Sequence, residues 1–142
     1  MLAAMHFDLV DRVLESSPER IVTLKCVSGA EEYLQDHFPT FPVLPGVMMI
    51  ESMVQAARRM LELRDPALGR HVLGQVKALK YGAFVRPGDA MRVEVTLHAA
   101  RDDGSYDFKG SAQVLRAEAR PEEPPVTSVS GRFSLRPPRF SA

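Results

Sequence analysis

Three prolines at every third position constrain this chain more than any other feature. Pro39, Pro42 and Pro45 each fix their own φ angle and disfavour the α region for the residue before them, so the segment is held extended. Proline is tolerated in the first turn of a helix, and apolar residues recur at helical spacing from Val47 onward. The pattern therefore predicts an extended approach that leads into one helix over residues 47–63.

The predicted helix carries two apolar rows and only a narrow polar stripe. The two rows consist of Val47, Ile50, Val54, Ala57 and Leu61, and of Met49, Met53, Ala56 and Met60. The stripe consists of Glu51, Gln55, Arg58 and Glu62. A helix that is apolar on most of its sides is buried by other structure, so we expect this helix to form the core.

Strand patterns dominate the rest of the chain. Apolar and polar residues alternate strictly from Met91 to Leu97, which is typical of a strand with one buried face. Further strands are expected over residues 21–27, 72–79, 106–114 and 126–135, and Asp103-Gly104 is a hairpin turn signal. The sequence predicts a single α+β domain over residues 1–142, in which an antiparallel sheet wraps around the helix.

Composition narrows the class of partner and the compartment. The 18 basic and 18 acidic residues give a net charge of zero, which argues against a nucleic-acid backbone as the main partner. Cys26 is the only cysteine, so no intrachain disulfide forms, and we expect it to be a buried, inert thiol in a reducing compartment, the cytoplasm. The first residues lack the pattern of a signal peptide, and no apolar stretch reaches the length of a membrane span.

Two side chains near the start of the helix are candidates for acid–base chemistry. His37 lies on the rigid approach, and Glu51 stands early in an apolar helix with Gln55 one turn beyond it. The first N–H groups of the helix, at Gly46 and Val47, can polarise a carbonyl oxygen. A base, an acid and such donors suit proton abstraction beside a carbonyl, with loss of a β-hydroxyl as water. A structural histidine and a solvated carboxylate are the alternatives.

The remaining histidines carry no comparable pattern. His71 and His98 lie in polar surroundings and are expected to be solvated, and His6 is expected to be a packed or surface histidine without a chemical role. We expect no metal site. The methionine-rich face of the helix is interpreted as core packing, because methionine fills irregular cores.

Residues 37–57 resemble the FabZ-type 3-hydroxyacyl-acyl-carrier-protein dehydratases. The family pattern is H-F-P-x-x-P-x-x-P-G-V-x-x-I-E-x-x-x-Q, and every fixed position is matched. His37 is its histidine and Glu51 is its glutamate. Residues 9–13, and residues 80–89 with their Val85-Arg86-Pro87-Gly88-Asp89 block, also resemble the family.

The resemblance implies a hot-dog fold and a homodimer with two shared active sites, which can assemble further into trimers of dimers. The histidine of one chain would face the carboxylate of the other. The substrate would be carried on the phosphopantetheine of an acyl carrier protein, with no other cofactor, and the acyl chain would enter a tunnel lined by Phe38 and Val47. A basic patch for the acidic carrier is hypothesised from Arg58, Arg59, Lys77 and Lys80.

The resemblance also implies a role for each matched residue. His37 would take the C2 proton, Glu51 would protonate the departing C3 hydroxyl, Gly46 would polarise the thioester carbonyl through its amide, and Gln55 would orient Glu51. Related dehydratase-isomerases carry aspartate where this chain has Glu51, so dehydration without double-bond isomerisation is predicted. The alternatives are a hot-dog acyl thioesterase and a non-catalytic acyl-thioester-binding subunit.

Overall fold

The central helix begins and ends within one residue of the predicted bounds. In the computed structural model, which describes residues 8–28, 43–116, 120 and 122–139, helix α1 spans Gly46–Arg64. Its buried face begins at Met49 and continues through Met53 to Leu61, so the predicted core helix is confirmed. Val47 departs from the predicted apolar row because it is 64% exposed. A short 3-10 helix, Pro66–Arg70, follows.

Six strands form one antiparallel sheet. Their bounds are Arg12–Ser16 for β1, Arg20–Cys26 for β2, Val72–Tyr81 for β3, Ala90–Ala100 for β4, Tyr106–Leu115 for β5 and Val126–Arg136 for β6. The order across the sheet is β1-β2-β4-β5-β6-β3. The sequence predicts five of these strands. It misses β1 because every residue of β1 is exposed, which leaves no alternation of buried and exposed side chains to detect.

Helix α1 covers one face of the sheet, which we call the inner face. This face presents Val93 and Val95 from β4, Phe108 from β5 and Phe133 from β6, all buried in one cluster with the helix. The opposite, outer face carries mostly polar and charged side chains. The predicted arrangement of an antiparallel sheet around one helix is therefore confirmed.

The register of β2 contradicts the prediction for Cys26. Thr23 and Lys25 pair with the inner-face residues of β4, whereas Cys26 pairs with Ala90 at the end of the strand and belongs to the outer face. The thiol is exposed and reduced rather than buried. The sequence pattern misleads here because the polar residues Thr23 and Lys25 occupy the inner face and are themselves buried.

The predicted hairpin turn joins β4 to β5. Gly104 has a φ angle of +87°, which glycine adopts without strain, and the Arg101 N–H donates to the Ser105 carbonyl across the turn. Within the described ranges, neither helix is long and apolar enough to cross a membrane.

Candidate active site

The first turn of α1 carries two backbone N–H groups for which the described residues supply no acceptor. Pro45 precedes the helix in an extended conformation (φ −60°, ψ 145°) and supplies no side-chain cap. Its carbonyl oxygen accepts from the N–H groups of Met48 and Met49 at 2.9 and 3.2 Å. The Gly46 and Val47 N–H groups have no partner among the described residues. These two donors point out of the helix at its positive end, where they favour an oxygen that gains negative charge.

Glu51 lies one turn further into the helix and is half-buried. Gln55, one turn beyond, is buried, and its Nε2 donates to Glu51 Oε1 at 3.4 Å. The sequence pattern left open whether this stripe is solvated. The structure removes Gln55 from solvent and puts Glu51 at the edge of the core, beside an amide that holds its carboxylate in one direction.

The orientation of Gln55 is fixed from outside the helix. The buried backbone N–H of Leu9 donates to Gln55 Oε1 at 2.8 Å. Because a backbone N–H only donates, the atom that faces it must be the carbonyl oxygen of the amide, and the NH₂ group is then turned to Glu51. Sequence reasoning missed Leu9, since its contribution is a backbone group and its contact spans 46 positions along the chain.

The other half of the predicted site lies outside the described residues. His37 and Phe38 belong to the range 29–42, so the predicted facing of His37 and Glu51 stays a prediction. The structure brings together Gly46, Val47, Glu51 and Gln55 on the first three turns of α1. Val47 is the exposed member of this group.

The exposure of His98 and His71 can be compared with the prediction that both are solvated. His98 is exposed, as expected. His71 is 6% exposed, which contradicts the prediction: its Nε2 lies 2.8 Å from the Gly104 carbonyl oxygen, and its ring packs 5.7 Å from that of Tyr106. The hairpin and the start of β3 enclose it, and neither contact is visible in the local sequence. In the described part of the chain, no group of three side chains is arranged to hold a metal ion.

The fold and the site together define a class: hot-dog proteins with a carboxylate on the central helix. A solved structure titled the dehydratase heterocomplex ApeI:P, from Xenorhabdus doucetiae, has the same fold with a TM-score of 0.69 and 17% identity, covering 93% of this chain and 84% of that one. The predicted hot-dog fold is confirmed.

Sequence comparison carries the assignment further. Residues 14–119 match the ApeI-like family, described as ApeI dehydratase. A protein of Lactobacillus helveticus named 3-hydroxyacyl-[acyl-carrier-protein] dehydratase FabZ is 34% identical over 92% of this chain and 84% of its own length. A protein of Oenococcus oeni with the same name is 42% identical over 67% of this chain and 70% of its own length. The chain belongs to the ApeI-like dehydratase family, and the predicted FabZ-like dehydratase, a hydro-lyase, is confirmed.

Proposed function

We propose that this chain removes water from a (3R)-3-hydroxyacyl thioester carried by an acyl carrier protein and yields the trans-2-enoyl thioester. The observation that carries the proposal is the tethered carboxylate of Glu51, on the same turns of α1 as the Gly46 and Val47 N–H groups, which have no acceptor within the described ranges. An acid next to a carbonyl-polarising helix terminus is the arrangement that β-elimination needs.

Each residue has one task in the proposed reaction. His37 takes the C2 proton, and the electron pair of that C–H bond moves toward the thioester carbonyl, whose oxygen accepts a hydrogen bond from the Gly46 N–H. The pair then returns to form the C2–C3 double bond while the C3–O bond breaks. Glu51 protonates the departing hydroxyl, so that water leaves, and Gln55 keeps Glu51 aimed at it. The steps need no resident cofactor.

We further propose that the working unit is a homodimer. Strand β3 has ten residues, Val72–Tyr81, and among the described strands it pairs with β6 alone, so no other described strand covers its second edge. A long open edge attracts another strand, and two copies related by a two-fold axis can pair β3 with β3. In that arrangement His37 of one chain completes the site that contains Glu51 of the other.

The carrier protein is proposed to dock on the outer face of the sheet. Lys77, Arg132 and Lys109 are directly opposite one another on β3, β6 and β5, and none forms an ion pair within the described residues. Like charges opposite one another destabilise a sheet, so this row, which we call the basic row, favours an anionic partner. It borders a groove of about 780 Å³. Of the four residues in the hypothesised patch, Lys77 and Lys80 lie on this face, whereas Arg58 and Arg59 lie on α1, where Arg58 donates to the His71 carbonyl.

The proposed reaction is tested in reverse, as hydration of a short trans-2-enoyl pantetheine thioester followed by loss of enoyl absorbance. We expect turnover by the wild type and a loss of about 10²–10⁴-fold in both Glu51→Gln and His37→Ala. Glu62→Gln, an exposed glutamate on the same helix, is the control and keeps wild-type rates. A folded wild-type protein that hydrolyses the thioester instead, or does neither, would refute dehydration and favour a thioesterase or a binding subunit.

Mixing the two inactive variants tests the shared site. If His37 and Glu51 act across a two-fold interface, mixed dimers contain one intact site and one doubly altered site. Random exchange of subunits then restores about a quarter of wild-type activity. Subunit exchange is verified by mass spectrometry. If activity is then not recovered, both residues act within one chain, which refutes the shared site and leaves the proposed chemistry intact.

The cytoplasm stays the expected location.

A further inference from the structure

Tyr81 lies against Gly46, the first residue of helix α1. A Cβ atom at Gly46 would lie 2.8 Å from Tyr81 Cζ and 2.9 Å from both Cε1 and the hydroxyl oxygen. The phenol ring therefore occupies the space that any other residue at position 46 would need. Its hydroxyl lies beside the first turn, where the Gly46 and Val47 N–H groups have no partner in the described ranges.

A β-bulge aims Tyr81 at this place. Lys77 and Lys80 are three positions apart, yet both pair with outer-face residues of β6, which strict alternation does not allow. The extra residue lies at the bulge, where Ala78 adopts a φ angle of +52°. Tyr81 consequently pairs with the buried Val129 and faces the helix, whereas a regular strand would turn it outward. A non-glycine residue at positive φ is strained, and such strain is concentrated at functional positions.

The hydroxyl of Tyr81 makes no hydrogen bond that stabilises the described part of the fold. No hydrogen bond joins it to any other group in the part of the chain that the structure describes, and the residue is 53% exposed. Packing alone would be served by phenylalanine. A hydroxyl donor that lies beside two backbone N–H groups, all three without an acceptor among the described residues, is suited to a shared acceptor from outside the chain.

We infer that the Tyr81 hydroxyl is a second hydrogen-bond donor to the thioester carbonyl oxygen, alongside the Gly46 N–H. The inference rests on the proposed dehydration and deepens it. When the C2 proton leaves, the electron pair moves onto this oxygen, and two fixed donors stabilise the charge better than one. Tyr81 keeps its proton throughout, so it adds no step to the reaction.

The test is Tyr81→Phe, which removes the hydroxyl and keeps the ring over Gly46. We expect kcat for enoyl hydration to fall about 10²-fold, the size reported for loss of one oxyanion donor, with KM changed much less. Tyr106→Phe, a half-buried tyrosine that packs on His71, is the matched control and keeps wild-type kcat. A wild-type kcat in Tyr81→Phe, or a change confined to KM, would overturn the inference and leave the dehydratase proposal standing.

A second readout does not depend on turnover. The infrared carbonyl stretch of a bound, unreactive acyl-pantetheine thioester should lie at lower frequency on the wild type than on Tyr81→Phe, because each hydrogen bond polarises the C=O group. An equal frequency on both proteins refutes the second donor. If the wild type fails to hydrate the substrate, the proposed function fails, and the infrared comparison still decides whether Tyr81 contacts the carbonyl.

Discussion

Replacing Gln55 separates the stability of the fold from the orientation of the acid. In Gln55→Leu, the buried Leu9 N–H loses its acceptor. An unsatisfied buried donor costs about 1–3 kcal/mol. An unfolding entropy of roughly 2.1 cal/mol/K per residue gives about 0.3 kcal/mol/K for a chain of this length, so we expect Tm to fall by about 3–10 °C. The rate of hydration also falls, since Glu51 loses the donor that orients it.

Gln55→Glu is the informative partner of that variant. The new carboxylate still accepts a hydrogen bond from the Leu9 N–H. The NH₂ group that donates to Glu51 is lost, and a second acidic group takes its place about 3.4 Å from Glu51. Two carboxyls at this distance hold a shared proton more tightly than one alone. In enoyl hydration, the reverse reaction, Glu51 acts as the base that takes a proton from the attacking water, so the acidic limb of the rate profile should move to higher pH. At acidic pH, where the pair keeps that proton, Tm should lie closer to the wild type than that of Gln55→Leu does.

Thermal unfolding and the pH profile of enoyl hydration measure the two effects. Gln113→Leu, a half-buried glutamine on β5, is the control for loss of a glutamine that does not contact the site. A wild-type Tm in Gln55→Leu would show that the bond to Leu9 contributes nothing. An unshifted acidic limb in Gln55→Glu would refute the tether between Gln55 and Glu51.

Two further predictions concern surfaces away from the helix. Neutralising Lys109 and Arg132 of the basic row should raise KM for the carrier-bound substrate about tenfold and leave KM for a small pantetheine thioester unchanged. Tm should rise slightly, because a like-charge contact is removed. Equal losses of activity on both substrates would exclude docking there. The Ser105 hydroxyl and N–H donate to Asp103 and lower the pKa of that carboxyl from its ordinary 3.8. A carboxyl whose pKa is lowered in the folded protein stabilises the fold at pH values above its pKa in the unfolded chain. The Tm difference between wild type and Ser105→Ala should therefore be largest at neutral pH and narrow below about pH 3.8. A Tm difference that does not change with pH would contradict this.

The sequence predicts those parts of the fold that depend on local rules. The proline triplet and helical periodicity give α1 to within a residue, because both signals act over a few neighbouring positions. Alternation gives five strands. Four of them end later than predicted, β4 by three residues, whereas β2 ends one residue earlier, at Cys26. Strand β1 and the buried His71 escape prediction because one is wholly exposed and the other is enclosed by distant elements.

The candidate site divides in the same way. Glu51 and Gln55 are one helical turn apart, so their contact follows from spacing alone. Leu9 contacts the site through its backbone N–H, so the identity of its side chain does not predict that role. The proposed partner of Glu51, His37, is supported by the family pattern and belongs to the range that the structure leaves undescribed.

The bulge in β3 explains why Tyr81 could not be predicted and why the strain is retained. A regular β3 would keep its full ladder with β6 and avoid the positive φ angle of Ala78, so the regular strand is the more stable alternative for β3 by itself. That strand would turn Tyr81 to the outer face, away from the first turn of α1. The unfavourable backbone of β3 places a hydroxyl beside helix N–H groups that have no acceptor in the described part of the chain. It is better explained by what it positions than by what it stabilises.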